Sequence, residues 1–138
     1  NKNAEGARMP QTFIESLNNY HRTAFISAYK NANKTTQIPS SVSAAQGYDS
    51  ALILIAAMIQ AGTTEGPKIR AALENLKKPI HGVITTYERP FTHDDHEAIS
   101  ENMVFMGEVK NGQIAFAYPE DERRSLLGQK KTQASAGK

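Results

Sequence analysis

Cysteine and tryptophan are both missing from this 138-residue sequence. The absence of thiols excludes disulfides, thiolate zinc sites and cysteine nucleophiles, and leaves the compartment open, because cytosolic and periplasmic chains alike can do without them. An excess of one charge is lacking too: 16 Lys and Arg face 14 Asp and Glu, a formal net charge of +2. That small surplus lies in residues 120–138, so the body is balanced and has no basic stripe, which argues against a nucleic-acid partner. No long hydrophobic run is present either. The longest, Ala51–Ile59, falls short of the roughly 20 residues that cross a bilayer, and it reads as a buried helix. The sequence begins at Asn1 with no initiator Met and no apolar signal-peptide core, so a mature or trimmed piece is the expectation.

What is present is a run of helix signals followed by strand signals. Residues 1–12 are polar and broken by Gly6 and Pro10, and are expected to be irregular. Tyr20, Ala24, Phe25, Ala28 and Tyr29 then fall on one face of a helix that Asn18 or Asn19 can cap. Pro39, Ser40 and Ser41 introduce a second helix over 42–61 with Gly62 just past its end. Its expected buried stripe is Val42, Ala45, Tyr48, Leu52, Ile55 and Ile59, although Ile53, Leu54 and Met58 make the second half apolar nearly all round. A third helix opens at Pro67 with Ile69, Ala72, Leu73 and Leu76 inward, and runs to Lys77, Lys78 and Pro79. Val83–Tyr87 has the β-branched and aromatic content of a short strand. Asn111-Gly112 between two alternating apolar runs predicts a hairpin with a type I′ turn. From Pro119 onward the chain is charged and then rich in Gln, Ser, Ala, Gly and Lys, and a flexible tail is expected.

Three groups of residues could carry chemistry. The segment Thr92–Ile99, with His93, Asp94, Asp95, His96 and Glu97, has the residue types of a metal or acid/base site. Zinc needs three or four ligands converging at about 2 Å, which adjacent loop residues seldom provide, and the His-Glu-x-x-His helical spacing is absent. A turn in which Asp94 or Asp95 accepts backbone N–H bonds is the better reading. Tyr48 and Asp49 read as structural: Tyr48 on the buried stripe, Asp49 serving a neighbouring backbone group. Ser43, Ala44 and Gln46 stand at the start of the second helix, where N–H groups and side-chain donors can either cap the helix or face a ligand.

The order of these pieces resembles one family. The aromatic helix with Phe25 and Tyr29 is followed by Tyr48-Asp49-Ser50, then Ala61-Gly62, Arg70 to Glu74, Gly82, Phe91 with Asp95-His96, and a strand pair tipped by Asn111-Gly112. This is similar to the C-terminal portion of the type I periplasmic solute-binding proteins of branched-chain amino-acid ABC transporters. The resemblance covers roughly residues 19–118, and Ser50 stands where Ala is more usual.

The resemblance implies an α/β fold, the C-terminal part of a bilobal type I periplasmic-binding-protein fold ending in a β-hairpin. It divides the chain into residues 1–40 as a lead-in and helix of the C-terminal lobe, 41–82 as helices of the N-terminal lobe, 83–118 as crossing strand, loop and hairpin, and 119–138 as tail. It also implies a periplasmic or extracytoplasmic, non-catalytic receptor without cofactor or metal. Such a receptor closes its lobes on a branched-chain amino acid or a related small carboxylate, amide or aromatic acid and presents it to a membrane permease. Ser43, Ala44 and Gln46 would line the cleft. The alternatives are a ligand-sensing receptor domain on the same fold, or a metal-dependent hydrolase using His93, Asp95 and His96. The members are longer than this chain, so the apolar 42–61 helix is expected to lack partners within it and to pack on another polypeptide, either the remainder of the protein or a second copy.

Overall fold

The computed structural model describes residues 2–15 and 19–126. In chain order the elements are β1 (Arg8–Gln11), α1 (Tyr20–Asn33), α2 (Ser41–Ala61), α3 (Gly66–Leu73), β2 (Ile80–His81), β3 (Thr86–Tyr87), β4 (Phe105–Lys110), β5 (Gln113–Phe116) and α4 (Pro119–Leu126). Strands β1, β4 and β5 form an antiparallel sheet in that order, and β2 and β3 form a separate two-stranded ribbon.

The helix ends follow local chemistry. Asn19 caps α1, its Oδ1 accepting from the His21 and Arg22 N–H groups. Gly62 ends α2 in the left-handed region at φ 64°, where its own N–H returns to the carbonyls of Met58 and Ile59. Helix α3 carries Pro67 in its first turn as expected but ends at Leu73, short of the lysine pair. The Gln60 amide explains the early stop: it donates to the Asn75 carbonyl and accepts from the Lys77 N–H, giving the chain partners that a further helical turn would have supplied.

Three expectations for the strands and the tail are corrected. Residues 8–11 are not irregular but form β1, paired with β4 from Arg8 opposite Glu108 to Gln11 opposite Phe105. Pro10 is tolerated because β1 is an edge strand. Only Thr86 and Tyr87 of the expected 83–87 strand are extended, because the Val83 and Ile84 N–H groups turn inward to a side chain of α2. Residues 119–126 form α4 instead of an irregular stretch. Its first turn carries Glu120, Asp121 and Glu122 at the positive end of the helix dipole. Asp121 accepts from the Met106 N–H, and Arg124 donates to the Asn102 and Val104 carbonyls while its guanidinium lies 4.8 Å from the Phe105 ring centre. The rest of the expected tail, 127–138, lies outside the described residues. The hairpin is as predicted, with Asn111 at φ 52° and Gly112 at φ 75° joining β4 to β5.

The core gathers Phe25 and Ile26 of α1, Ala45, Ile53 and Ala57 of α2, and Leu76, Val83, Ile84, Tyr87 and Met103, with Phe13 edge-on to Phe25 at 6.0 Å. The buried line of α2 therefore runs Ala45, Asp49, Ile53, Ala57. The expected stripe points outward in large part: Tyr48 is 46%, Ile55 52% and Ile59 76% exposed, and Leu54 is 45% exposed beside them. A helix that is apolar on most faces does not itself say which face turns inward. Asp49 decides it, because its carboxylate has buried partners on one side only.

Candidate functional site

Asp49 is 1% exposed and is the polar centre of the molecule. Its Oδ1 accepts from the Val83 N–H at 2.7 Å, and its Oδ2 from the Ile84 N–H at 3.0 Å and the Tyr87 hydroxyl at 2.9 Å. A methyl group on Gly82 would run into that carboxylate, so only glycine lets the turn approach. Burial pushes the Asp49 carboxyl above its ordinary value, against the opposing pull of its three hydrogen bonds and of Arg22. Tyr87 is pushed well above the usual phenol range by burial and by the neighbouring carboxylate.

Arg22 grips the same turn from the other side. It is 3% exposed; its Nε donates to the Val83 carbonyl at 3.3 Å and one Nη to the Ile84 carbonyl at 3.5 Å. It also reaches α4, donating to the Ser125 carbonyl at 3.1 Å and to Ser125 Oγ at 3.4 Å. Two consecutive residues, Val83 and Ile84, are thus held by their N–H groups from α2 and by their C=O groups from α1. This arrangement positions backbone and offers no exposed acid or nucleophile. The structural reading of Asp49 holds, whereas Tyr48 is half-exposed and packs its ring against Phe25 at 5.1 Å. Sequence reading passed over Arg22, and the available signal was a cation within the aromatic face of α1.

Beside this centre lies an open groove of about 320 Å³. Gln46, Ser50, Ile53 and Leu54 of α2 line one wall, and Leu73 of α3, Ile84, Tyr87, Phe91, Ala98 and Ile99 line the rest. An amide and a hydroxyl at one wall of an otherwise aliphatic and aromatic trough can orient a small molecule with an apolar body and a polar end. Of the three predicted ligand residues, only Gln46 lines it, and its Nε2 also donates to Thr12 Oγ1 at 3.0 Å. Ser43 Oγ accepts from Ser40 Oγ at 2.8 Å in the first turn, and Ala44 packs on the core.

The Thr92–Ile99 segment is a turn. Thr92 Oγ1 accepts from the Asp95 N–H, and Asp95 Oδ1 accepts from the Glu97 N–H, as a turn reading requires. Its histidines face Glu74 at the end of α3, His96 Nε2 at 3.2 Å and His93 Nδ1 at 3.7 Å, rather than converging with Asp95. Arg70 takes the same carboxylate at 2.8 Å, and that bond, aided by His96 and His93, holds Glu74 below the usual carboxylate range. Among the described residues no group of three His, Cys, Asp or Glu could hold a metal ion.

A family model for periplasmic binding proteins matches residues 1–113. The chain belongs to the periplasmic binding protein family. Its fold is that of the type I members, and the solved structures that resemble it agree. The solute-binding protein of an ABC transporter from R. palustris, in complex with benzoate, superposes with a TM-score of 0.62 at 18% identity, over 83% of this chain and 29% of that one. An extracellular ligand-binding receptor from Rhodopseudomonas palustris HaA2 gives 0.63 at 22% identity, over 85% and 36%. A second receptor so described, from Rhodopseudomonas palustris, gives 0.58 at 20% over 85% and 35%. The chain thus spans about a third of the length of these periplasmic-binding-protein structures. No curated protein sequence matches it. By length and composition α2 could cross a membrane, which for a single helix is weak evidence, and in this chain α2 is tied to a turn through a buried carboxylate.

Proposed function

We propose that the protein captures a small solute outside the cytoplasm, without chemistry, as the binding component of an ABC importer that hands the solute to a membrane permease. The family match over residues 1–113 carries this reading. For the solute we propose a branched-chain amino acid or a related small carboxylate, amide or aromatic acid. The groove supports that class, since an apolar trough with Gln46 and Ser50 at one wall suits an aliphatic or aromatic body with a polar end. The benzoate held by one similar structure belongs to the same class. Ser43, Ala44 and Gln46 are proposed as cleft residues, Gln46 with the groove in its support. The division at residues 40, 82 and 118 into pieces of two lobes, closing on the solute by hinge motion, belongs to the same proposal. Calorimetric titration of the protein with leucine, benzoate and a short amide tests it: saturable heat with at least one is expected, weakened several-fold in Gln46→Ala. No heat with any of the three would count against the reading. A sensing receptor on the same fold is the second reading, in keeping with the description of two of the similar structures as receptors. Binding of the liganded protein to a transporter permease would favour import over sensing.

A further inference from the structure

Arg22 is a buried cation without a carboxylate in bonding contact among the described residues. Its acceptors are two turn carbonyls and the two oxygens of Ser125, at 3.1–3.5 Å, which is long for a guanidinium. Asp49 acts on it only through space, and burial pulls the Arg22 pKa below its ordinary value. A guanidinium taken out of water is ordinarily matched by a carboxylate or phosphate that accepts two parallel N–H bonds. The Nη nitrogen that reaches Ser125 Oγ has a second N–H with no partner among the described residues.

Next to this group is a cavity of about 110 Å³, separate from the apolar groove. Arg22, His21, His81, Thr85, Thr86 and Ser125 contribute to its wall, and no Asp or Glu does so among the described residues. The space is enough for about three waters or for one small oxyanion. Its wall carries one fixed positive charge and two imidazoles beside hydroxyls that are themselves engaged, Ser125 Oγ donating to the Glu122 carbonyl and Thr86 Oγ1 bonding His81 Nδ1. Asp49 lies behind the Val83–Ile84 turn, which it holds by the N–H groups. The two Ser125 oxygens lie against the Arg22 Nη edge much as the two oxygens of a carboxylate would, but they carry no charge to balance it.

We propose that this cavity is a binding site for a small oxyanion, and that a free carboxylate of acetate size seats on Arg22 beside Ser125. The site does not depend on the solute reading, because its ligand is too small to need the groove. The test is backbone amide NMR of the protein titrated with sodium acetate and, separately, with inorganic phosphate, against sodium chloride at matched ionic strength. Saturable shifts at Val83, Ile84, Thr85 and Ser125 with acetate are expected, at least ten-fold weaker in Arg22→Lys, which keeps the charge but loses the Nη N–H that faces the ligand. Equal shifts with chloride, or acetate binding unchanged in a folded Arg22→Lys, would overturn the proposal. Tighter binding of phosphate than acetate would keep the site but overturn its assignment to a carboxylate. Should Arg22→Lys fail to fold, His21→Ala/His81→Ala decides, since both side chains are exposed. Several-fold weaker acetate binding is expected there, and no change would sink the idea.

Discussion

At the scale of the residue, the molecule is organised by a carboxylate and a glycine that fit each other. Asp49 is fixed by three donors and cannot retreat, so Gly82→Ala should destabilise the fold by about 2 kcal/mol, read from urea unfolding. The buried carboxyl also makes stability depend on pH. Its folded pKa is raised above the ordinary 3.8, chiefly by desolvation, so its contribution is fully present below the unfolded value and is lost as pH rises through the folded value. The wild type should therefore lose stability relative to Asp49→Asn as pH climbs from about 3.8 through the raised pKa, and the two should run parallel above it. Urea melts of both proteins across that range check this. A difference that is constant throughout would contradict the sign.

At the scale of the element, caps and turns do what their sequence promises, while element ends obey tertiary partners. The β4–β5 hairpin needs positive φ at two consecutive positions, and Gly112 at φ 75° has no close neighbour, so the only penalty for a side chain there is conformational. Gly112→Ala should cost about 1 kcal/mol by thermal or urea unfolding and leave the strand register unchanged. Helix α3 stops early and the strand around Ile84 shrinks to two residues for one shared reason. Side chains from α2, Gln60 in one case and Asp49 in the other, take the backbone groups that longer elements would have used. Neither α2 residue is near these segments in sequence, so no local pattern announces the competition.

At the scale of the whole molecule, α2 remains uncovered along one side. A solvent-facing row with Leu54, Ile55 and Ile59 is costly, since each such side chain gains roughly 1.5 to 3 kcal/mol on burial. The expectation that some apolar residues of this helix lack partners is met among the described residues by these three, while Ile53 packs into the core and Leu52 and Met58 are half-buried. The chain on its own is expected to bind a hydrophobic dye. Ile55→Glu/Ile59→Glu should remove most of the signal while leaving the unfolding free energy within about 0.5 kcal/mol. A loss of several kcal/mol in that double variant would mean that the face is covered after all.

Sequence by itself determined the punctuation: an Asn cap at 18 or 19, Pro67 and Gly62 at helix ends, Asn111-Gly112 as a hairpin, and the ordered pieces that mark the family. These features act over a few residues, through φ preferences and local hydrogen bonds, so they are legible in one dimension. A turn role for Asp94 or Asp95 was legible for the same reason, and the structure gives it to Asp95. Only the tertiary structure decided which face of α2 turns inward, that residues 8–11 pair with β4, that the chain after Pro119 docks as a helix, and that Arg22 and Asp49 meet at one turn. Each of those outcomes joins groups distant in sequence. An apolar helix, a polar edge strand and a charged tail take their places from partners that supply buried hydrogen bonds.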